Sequence, residues 1–222
     1  MTAQPSISTP RLVALVALVL AGVCVVAFAA SELLKHTRQT TTTLPRPVAR
    51  VVVDADSGDV RLQGGAGSRV VVEQDLQWLW RRPTVRMRMV GSVLRIASSC
   101  PTGGPVNRCK ADLRLTIPFD ADVKVSGHAG DIRGTDLNPV SVQANTEAGD
   151  VRLDFSTQPV SVAATSSAGD VLLDLPAGGE FRVDATTNAG DVDVAGLVRN
   201  DRALRSIAAT TDAGDVRVQG HP

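Results

Sequence analysis

A chain of 222 residues with 23 basic and 23 acidic side chains carries no net charge, so no global field draws it to nucleic acid. Aromatic residues are only 3% and Tyr is absent, which excludes a wide core filled with rings. A thin core of Val, Leu, Ile and Ala is what remains.

In chain order, residues 1–11 form a short tail. Leu12 to Ala30 are apolar or small and carry no charge. Since about 20 such residues cross a bilayer as a helix, a transmembrane anchor is expected over 12–34. Two other readings stay open. Ala27-Phe28-Ala29 fits a cleavage site for a signal peptide, although the apolar run is longer than a usual signal core. Cys24 could end a lipoprotein signal, although Val23 stands where a small residue is expected. Arg11 on one side and Lys35, His36 and Arg38 on the other are nearly balanced, so flanking charge does little to orient the segment. Thr40 to Thr43 and Leu44-Pro45-Arg46-Pro47 follow without apolar periodicity. Residues 35–47 are therefore expected to be an extended spacer.

The remainder, 48–220, is organised by an internal repeat. Gly-Asp followed by Val or Ile occurs at Gly58-Asp59, Gly130-Asp131, Gly149-Asp150, Gly169-Asp170, Gly190-Asp191 and Gly214-Asp215. The last five copies are spaced by 19, 20, 21 and 24 residues. Seven residues before each Gly stand Val51, Val123, Val142, Val162, Val183 and Ile207. Three before stand Ala55, Gly127, Thr146, Ser166, Thr187 and Thr211, and two after stand Val60, Ile132, Val151, Val171, Val192 and Val216. Apolar and polar residues alternate on both sides of the turn, the period of a strand with one buried face. Each unit is thus two short strands joined at Gly-Asp, where Gly permits a positive φ. A β-sandwich is the usual outcome for such strands. Columns that keep their residue class through every copy instead suit stacked parallel rungs, so an all-β solenoid with rungs of roughly 20 residues is expected. The longest unit, containing Asn200-Asp201-Arg202, is expected to bulge as a loop.

Between the first unit and the rest lies an insert over about 69–118. Val85, Met87 and Met89 alternate with Arg86 and Arg88, and Leu94 and Ile96 alternate after a Gly91-Ser92 turn. An antiparallel hairpin covering one end of the stack is expected. Cys100 and Cys109 flank a Gly/Pro loop, and outside the cytoplasm such a pair is most simply a disulfide.

Taken together, the N-terminal anchor, Ser57-Gly58-Asp59-Val60, the hairpin insert, Leu115-Thr116-Ile117-Pro118, Asp122-Val123-Lys124-Val125 and the serial Ala-Gly-Asp-Val turns resemble a bacterial adhesin-like domain family of unknown function. That family is related to head-domain and toastrack-type β-solenoids. The resemblance covers roughly Val48 to Gly220. It implies a cell-envelope solenoid displayed outside the membrane, and it supplies no catalytic residue.

Trp78, Trp80, Arg81, Arg82, Arg86 and Arg88 form the one aromatic and basic cluster. It could bind anionic envelope polymers or lipid headgroups. Alternatively, the tryptophans cap the core while the arginines are solvated. No Ser-His-Asp order, His-rich metal set or phosphate loop is present, so no enzyme, metal or cofactor is expected. One Asp per rung offers too few oxygens for calcium. Each repeat Asp is expected instead to accept hydrogen bonds from the amides of its own turn. The sequence stops soon after the Gly214 unit, so a partner strand or self-association is expected at this C-terminal rung.

Overall fold

A computed structural model describes residues 36–44, 47–65, 67–102 and 108–221. The expected anchor over 12–34 and the tail before it lie outside these residues. Among the described residues no helix is long and apolar enough to cross a membrane.

The structure is all-β, with two nine-stranded sheets built almost wholly of parallel strands. Each repeat unit sends its first strand to one sheet and its second to the other, with Gly-Asp at the corner between them. The first sheet holds β1 (His36–Thr43), β3 (Val60–Gly64), β4 (Val71–Trp78), β7 (Cys109–Ile117), β9 (Ile132–Leu137), β11 (Val151–Phe155), β13 (Val171–Pro176), β15 (Val192–Ala195) and β18 (Val216–His221). The second holds β2 (Arg50–Ser57), β5 (Thr84–Val90), β6 (Val93–Ser99), β8 (Asp122–Ala129), β10 (Ser141–Ala148), β12 (Ser161–Ala168), β14 (Glu180–Ala189), β16 (Val198–Arg199) and β17 (Arg205–Ala213).

Register follows the repeat columns. Val51, Val123, Val142, Val162, Ile207 and Val183 are successive partners across the second sheet. Val60, Ile132, Val151, Val171, Val216 and Val192 are successive partners across the first. Inward side chains of both sheets meet in one continuous apolar core. One column has a gap at Gly134, where the other copies carry Leu or Val. Leu137 fills it, and a side chain added at Gly134 would collide with Leu137. The detour that brings Leu137 inward places Asp136 at a φ of 52° and shifts the register opposite β11.

Three features depart from the sequence reading. First, the rungs do not stack in chain order. β17 pairs with β12 on one side and β14 on the other, and β18 likewise lies between β13 and β15. The chain passes over one rung position at Ala177-Gly178-Gly179, lays down β14 and β15, and returns through Asn200-Asp201-Arg202 to fill the gap. The C-terminal rung is therefore internal, and the self-association expected there lacks an exposed edge. The outermost rung is β14 with β15. Beyond it only the two-residue β16 pairs, at Glu180 and Phe181, so Val192 stays 45% exposed and Val183 only half-buried.

Second, the insert is only partly a cap. β6 and β7 run parallel to β2 and β3 and add a true rung, and only β4 and β5 are antiparallel. Third, part of the expected spacer is a strand. β1 lies beside β4, and the Leu44 amide donates to Val70 at 2.9 Å. Threonine suits a strand, and the free edge of β4 offers it a partner.

Candidate functional site

The Gly-Asp corner is a device that joins one rung to the next. Its glycines take φ values of +130° to +149°, a region that disfavours any side chain. Space forbids one as well. A Cβ on Gly149 would overlap the Gly130 carbonyl, and one on Gly169 would overlap that of Gly149. That carbonyl is needed where it is. It accepts the hydroxyl three residues before the next Gly: Thr146 to Gly130 at 3.1 Å, Ser166 to Gly149 at 2.8 Å, Thr211 to Gly169 at 2.8 Å and Thr187 to Gly214 at 2.9 Å.

The aspartates form a ladder. The Asp150 amide donates to Asp131 Oδ1 at 2.9 Å, Asp170 to Asp150 at 3.0 Å, Asp215 to Asp170 at 2.9 Å and Asp191 to Asp215 at 3.0 Å. The expectation that each Asp serves its own turn is corrected here: the amide it receives belongs to the next rung. Because the carboxylates of successive rungs are separated by donors, like charges can stack. A second column relieves them further, with Arg133 on Asp131 at 2.6 Å and Arg152 on Asp150 at 2.8 Å.

At the β6–β7 rung the sequence reading missed a member of the ladder. Asp112 accepts the Asp59 amide at 2.8 Å. Its signal was Ala111-Asp112-Leu113 followed by Leu115, the repeat spacing with Ala in place of Gly. Lys110 spans Asp112 at 3.1 Å and Asp59 at 3.3 Å. Burial pushes the Asp59 carboxyl up, but the Asp131 amide, Lys110 and Arg61 outweigh it and hold it below the ordinary carboxylate value. Burial likewise opposes the charge on Lys110, yet Asp112 and then Asp59 leave its pKa raised. Asp174 is raised, by burial first and by neighbouring Asp154 second. Among the described residues no three potential metal ligands cluster.

Cys100 and Cys109 form a disulfide, with Cα atoms 5.8 Å apart. It ties the end of β6 to the start of β7, just before Ala111-Asp112, which stand where the other rungs have Gly-Asp.

The aromatic and basic cluster does not form one patch. The strand ends at Trp78, so Trp78 and Trp80 do not share a strand face. Trp78 is half-buried with Arg82 5.6 Å from its ring centroid, whereas Trp80 is 65% exposed. Arg81 donates to the Thr102 carbonyl at 3.5 Å. Arg86 and Arg88 stand apart from these, on the outer face of β5. Arg88 there lies opposite Arg95, and Arg95 aligns through Val52 with Lys124. Arg86, Arg88, Arg95 and Lys124 are exposed, and none is within ion-pair distance of an acidic group among the described residues. Arg95 and Lys124 line a shallow depression with Arg50, Val52, Asp54 and Val93. Sequence reading did not single out these two, because strand order rather than chain distance brings them together.

No curated protein matches the chain. Two solved structures match the chain, and the first is similar in fold. One is a candidate cell adhesion protein from Clostridium sporogenes, with a TM-score of 0.57 and 8% identity over 84% of this chain and 100% of that one. The other is a candidate adhesin from Bacteroides fragilis, with a TM-score of 0.38 and 9% identity over 83% of this chain and 97% of that one. The Toastrack DUF4097 family profile matches residues 45–219, and the chain belongs to that family.

Proposed function

We propose that this chain is a non-enzymatic, membrane-anchored binding protein displayed outside the cytoplasm, and that it holds an anionic envelope polymer on the outer face of its second sheet. The observation that carries the reading is the set of unpaired cations Arg86, Arg88, Arg95 and Lys124 on strands β5, β6 and β8. A repeating phosphodiester or carboxylate chain laid across these strands meets a positive group from each. The disulfide supports an oxidising location. The apolar run Leu12 to Ala30 supports an anchor. The corner aspartates inside the stack accept amides of neighbouring rungs, and Asp59, Asp131 and Asp150 also meet an arginine of their own rung, so they serve the stack rather than general acid or base chemistry.

The test is binding of the full chain, in mild detergent, to purified teichoic acid, to vesicles of anionic lipid and to neutral dextran. Teichoic acid should bind, more weakly as salt rises, and the double variant Arg95→Glu with Lys124→Glu should lose about tenfold or more in affinity. Preference for the vesicles would move the ligand to lipid headgroups. Binding to dextran equal to that of teichoic acid, or indifference to the double variant, would overturn the reading.

A further inference from the structure

The two ends of the stack differ in a way that fits one to the other. We infer that copies of this chain associate head to tail, the β14–β15 end of one against the β5–β1 end of the next.

The β14–β15 end is an unfinished rung. In inner rungs the Gly amide donates to the next rung, as Gly214 does to Ala189 at 2.9 Å, and the residue after Asp does the same, as Val216 does to Asp191 at 2.9 Å. The equivalent amides of Gly190 and Val192, and the Asp191 carboxylate, face a position that no rung occupies among the described residues. The inward side chains Val183, Ala185 and Val194 are only partly covered, although they pack on the core. At the opposite end Val85, Met87 and Met89 are in the same condition on β5. Both ends are thus sheet edges with a half-covered apolar layer, the arrangement that accepts further strands.

Shape and charge select the pairing. The first sheet runs one strand further at the β5 end, through β1, while the second runs one short strand further at the other end, through β16. These steps are complementary when unlike ends meet, because each sheet then supplies what the other lacks. Charge changes sign along one column of the second sheet. On the second sheet the aligned positions read Arg88, Arg95, Val52, Lys124, Gln143, Ala163, Ala208 and Asp184. On the first the column is acidic at both ends, reading Glu73, Arg114, Arg61, Arg133, Arg152, Leu172, Arg217 and Asp193, and Asp193 is already paired with Arg217 at 3.8 Å. Charge therefore distinguishes the two ends on the second sheet. Like ends would bring Asp184 toward its own copy. Unlike ends bring it toward Arg88 and its neighbours on the second sheet. A head-to-tail contact does not close on itself, so it builds rows rather than dimers.

Sedimentation velocity of the full chain in mild detergent, at low ionic strength and without polymer, tests this. The sedimentation coefficient should climb with concentration without reaching a plateau. The variants Asp184→Arg, and Arg86→Glu with Arg88→Glu, should each remain monomeric. An equimolar mixture of the two should assemble again, since each then offers the end the other needs. A monomer at every concentration would overturn the inference. So would a plateau at the dimer that the Arg86→Glu, Arg88→Glu variant leaves intact.

Discussion

At the β5 end the stack finishes in antiparallel strands, a disulfide and a lysine shared between two aspartates. At the β14–β15 end it finishes in a repeat rung like those inside it. The repeat is not a self-sufficient unit. Its glycine carbonyl needs the hydroxyl of the next rung, and its aspartate needs the next amide. Its valines need a further layer of side chains. A last repeat therefore leaves the donors and acceptors of its own corner open, whereas a segment of different sequence ties its corner with other bonds, even though Val85, Met87 and Met89 on β5 stay half-covered. At the β5 end Gln74 is buried against Met87, and the rung behind is held by Cys100–Cys109. Interior and terminal copies of one motif consequently carry different energies, and substitutions can measure the difference.

The largest contrast is expected at the glycines. Gly149→Ala places a methyl group on the Gly130 carbonyl at a φ of +140°. It should destabilise the protein by about 3 kcal/mol or more, because rungs on both sides prevent relaxation. Gly190→Ala meets the Gly214 carbonyl in the same way, but among the described residues no strand lies beyond its corner, β16 reaching only Glu180 and Phe181, so it can lift away. Its cost should be roughly half as large, appearing as local opening of β14 and β15 in hydrogen exchange. Equal losses of melting temperature would show that the terminal rung is as firmly held as the inner ones.

The ladder offers a finer contrast. Asp170 accepts the Asp215 amide, so Asp170→Ala should cost about 1–2 kcal/mol, and Asp170→Asn much less because its amide oxygen can accept the same bond. Asp191 receives no amide from a further rung, so Asp191→Ala should be nearly neutral. Denaturant unfolding of the three variants measures this, and an Asp191→Ala loss equal to that of Asp170→Ala would remove the directional ladder.

The same contrast explains what could be read from the sequence. The columns were legible because a parallel stack repeats its environment: Val142, Val162 and Ile207 are direct partners, as the spacing predicts. Rung order was not legible for the same reason. Where columns are alike, the Gly214 unit fits beside the Gly169 unit as well as the Gly190 unit does, and no local residue decides between them. The disulfide followed from two cysteines across a short loop. The basic face did not, since Arg95 and Lys124 are neighbours only because β2 lies between β6 and β8. The tryptophans misled because Trp78 ends its strand, so Trp80 lies outside the alternation that would have paired them.

The smallest effect concerns pH and separates the β5 end from the middle of the stack. Asp59 has its pKa lowered, so its contribution to stability is present above the unfolded carboxylate value and is lost as pH falls through the folded one. Lys110→Met removes one of the groups that hold that value down. The variant should begin to lose stability at a higher pH on the acid side, with a midpoint shift on the order of a few tenths of a pH unit because the lysine is partly solvated. Lys110 has a raised pKa, so its own contribution is complete below the unfolded lysine value and fades as pH rises through the folded one. Wild type and variant should therefore converge at high pH. Asp174 has the opposite sign. Its raised value means that ionisation costs stability above the folded pKa, and the cost disappears as pH falls. Asp174→Asn should stabilise the protein at neutral pH and lose that advantage in acid, where wild-type Asp174 is itself neutral. Melting temperatures from about pH 3 to about pH 11 follow all three groups. Coincident acid limbs for wild type and Lys110→Met would show that the lysine bridge does not help to hold the β5 end together.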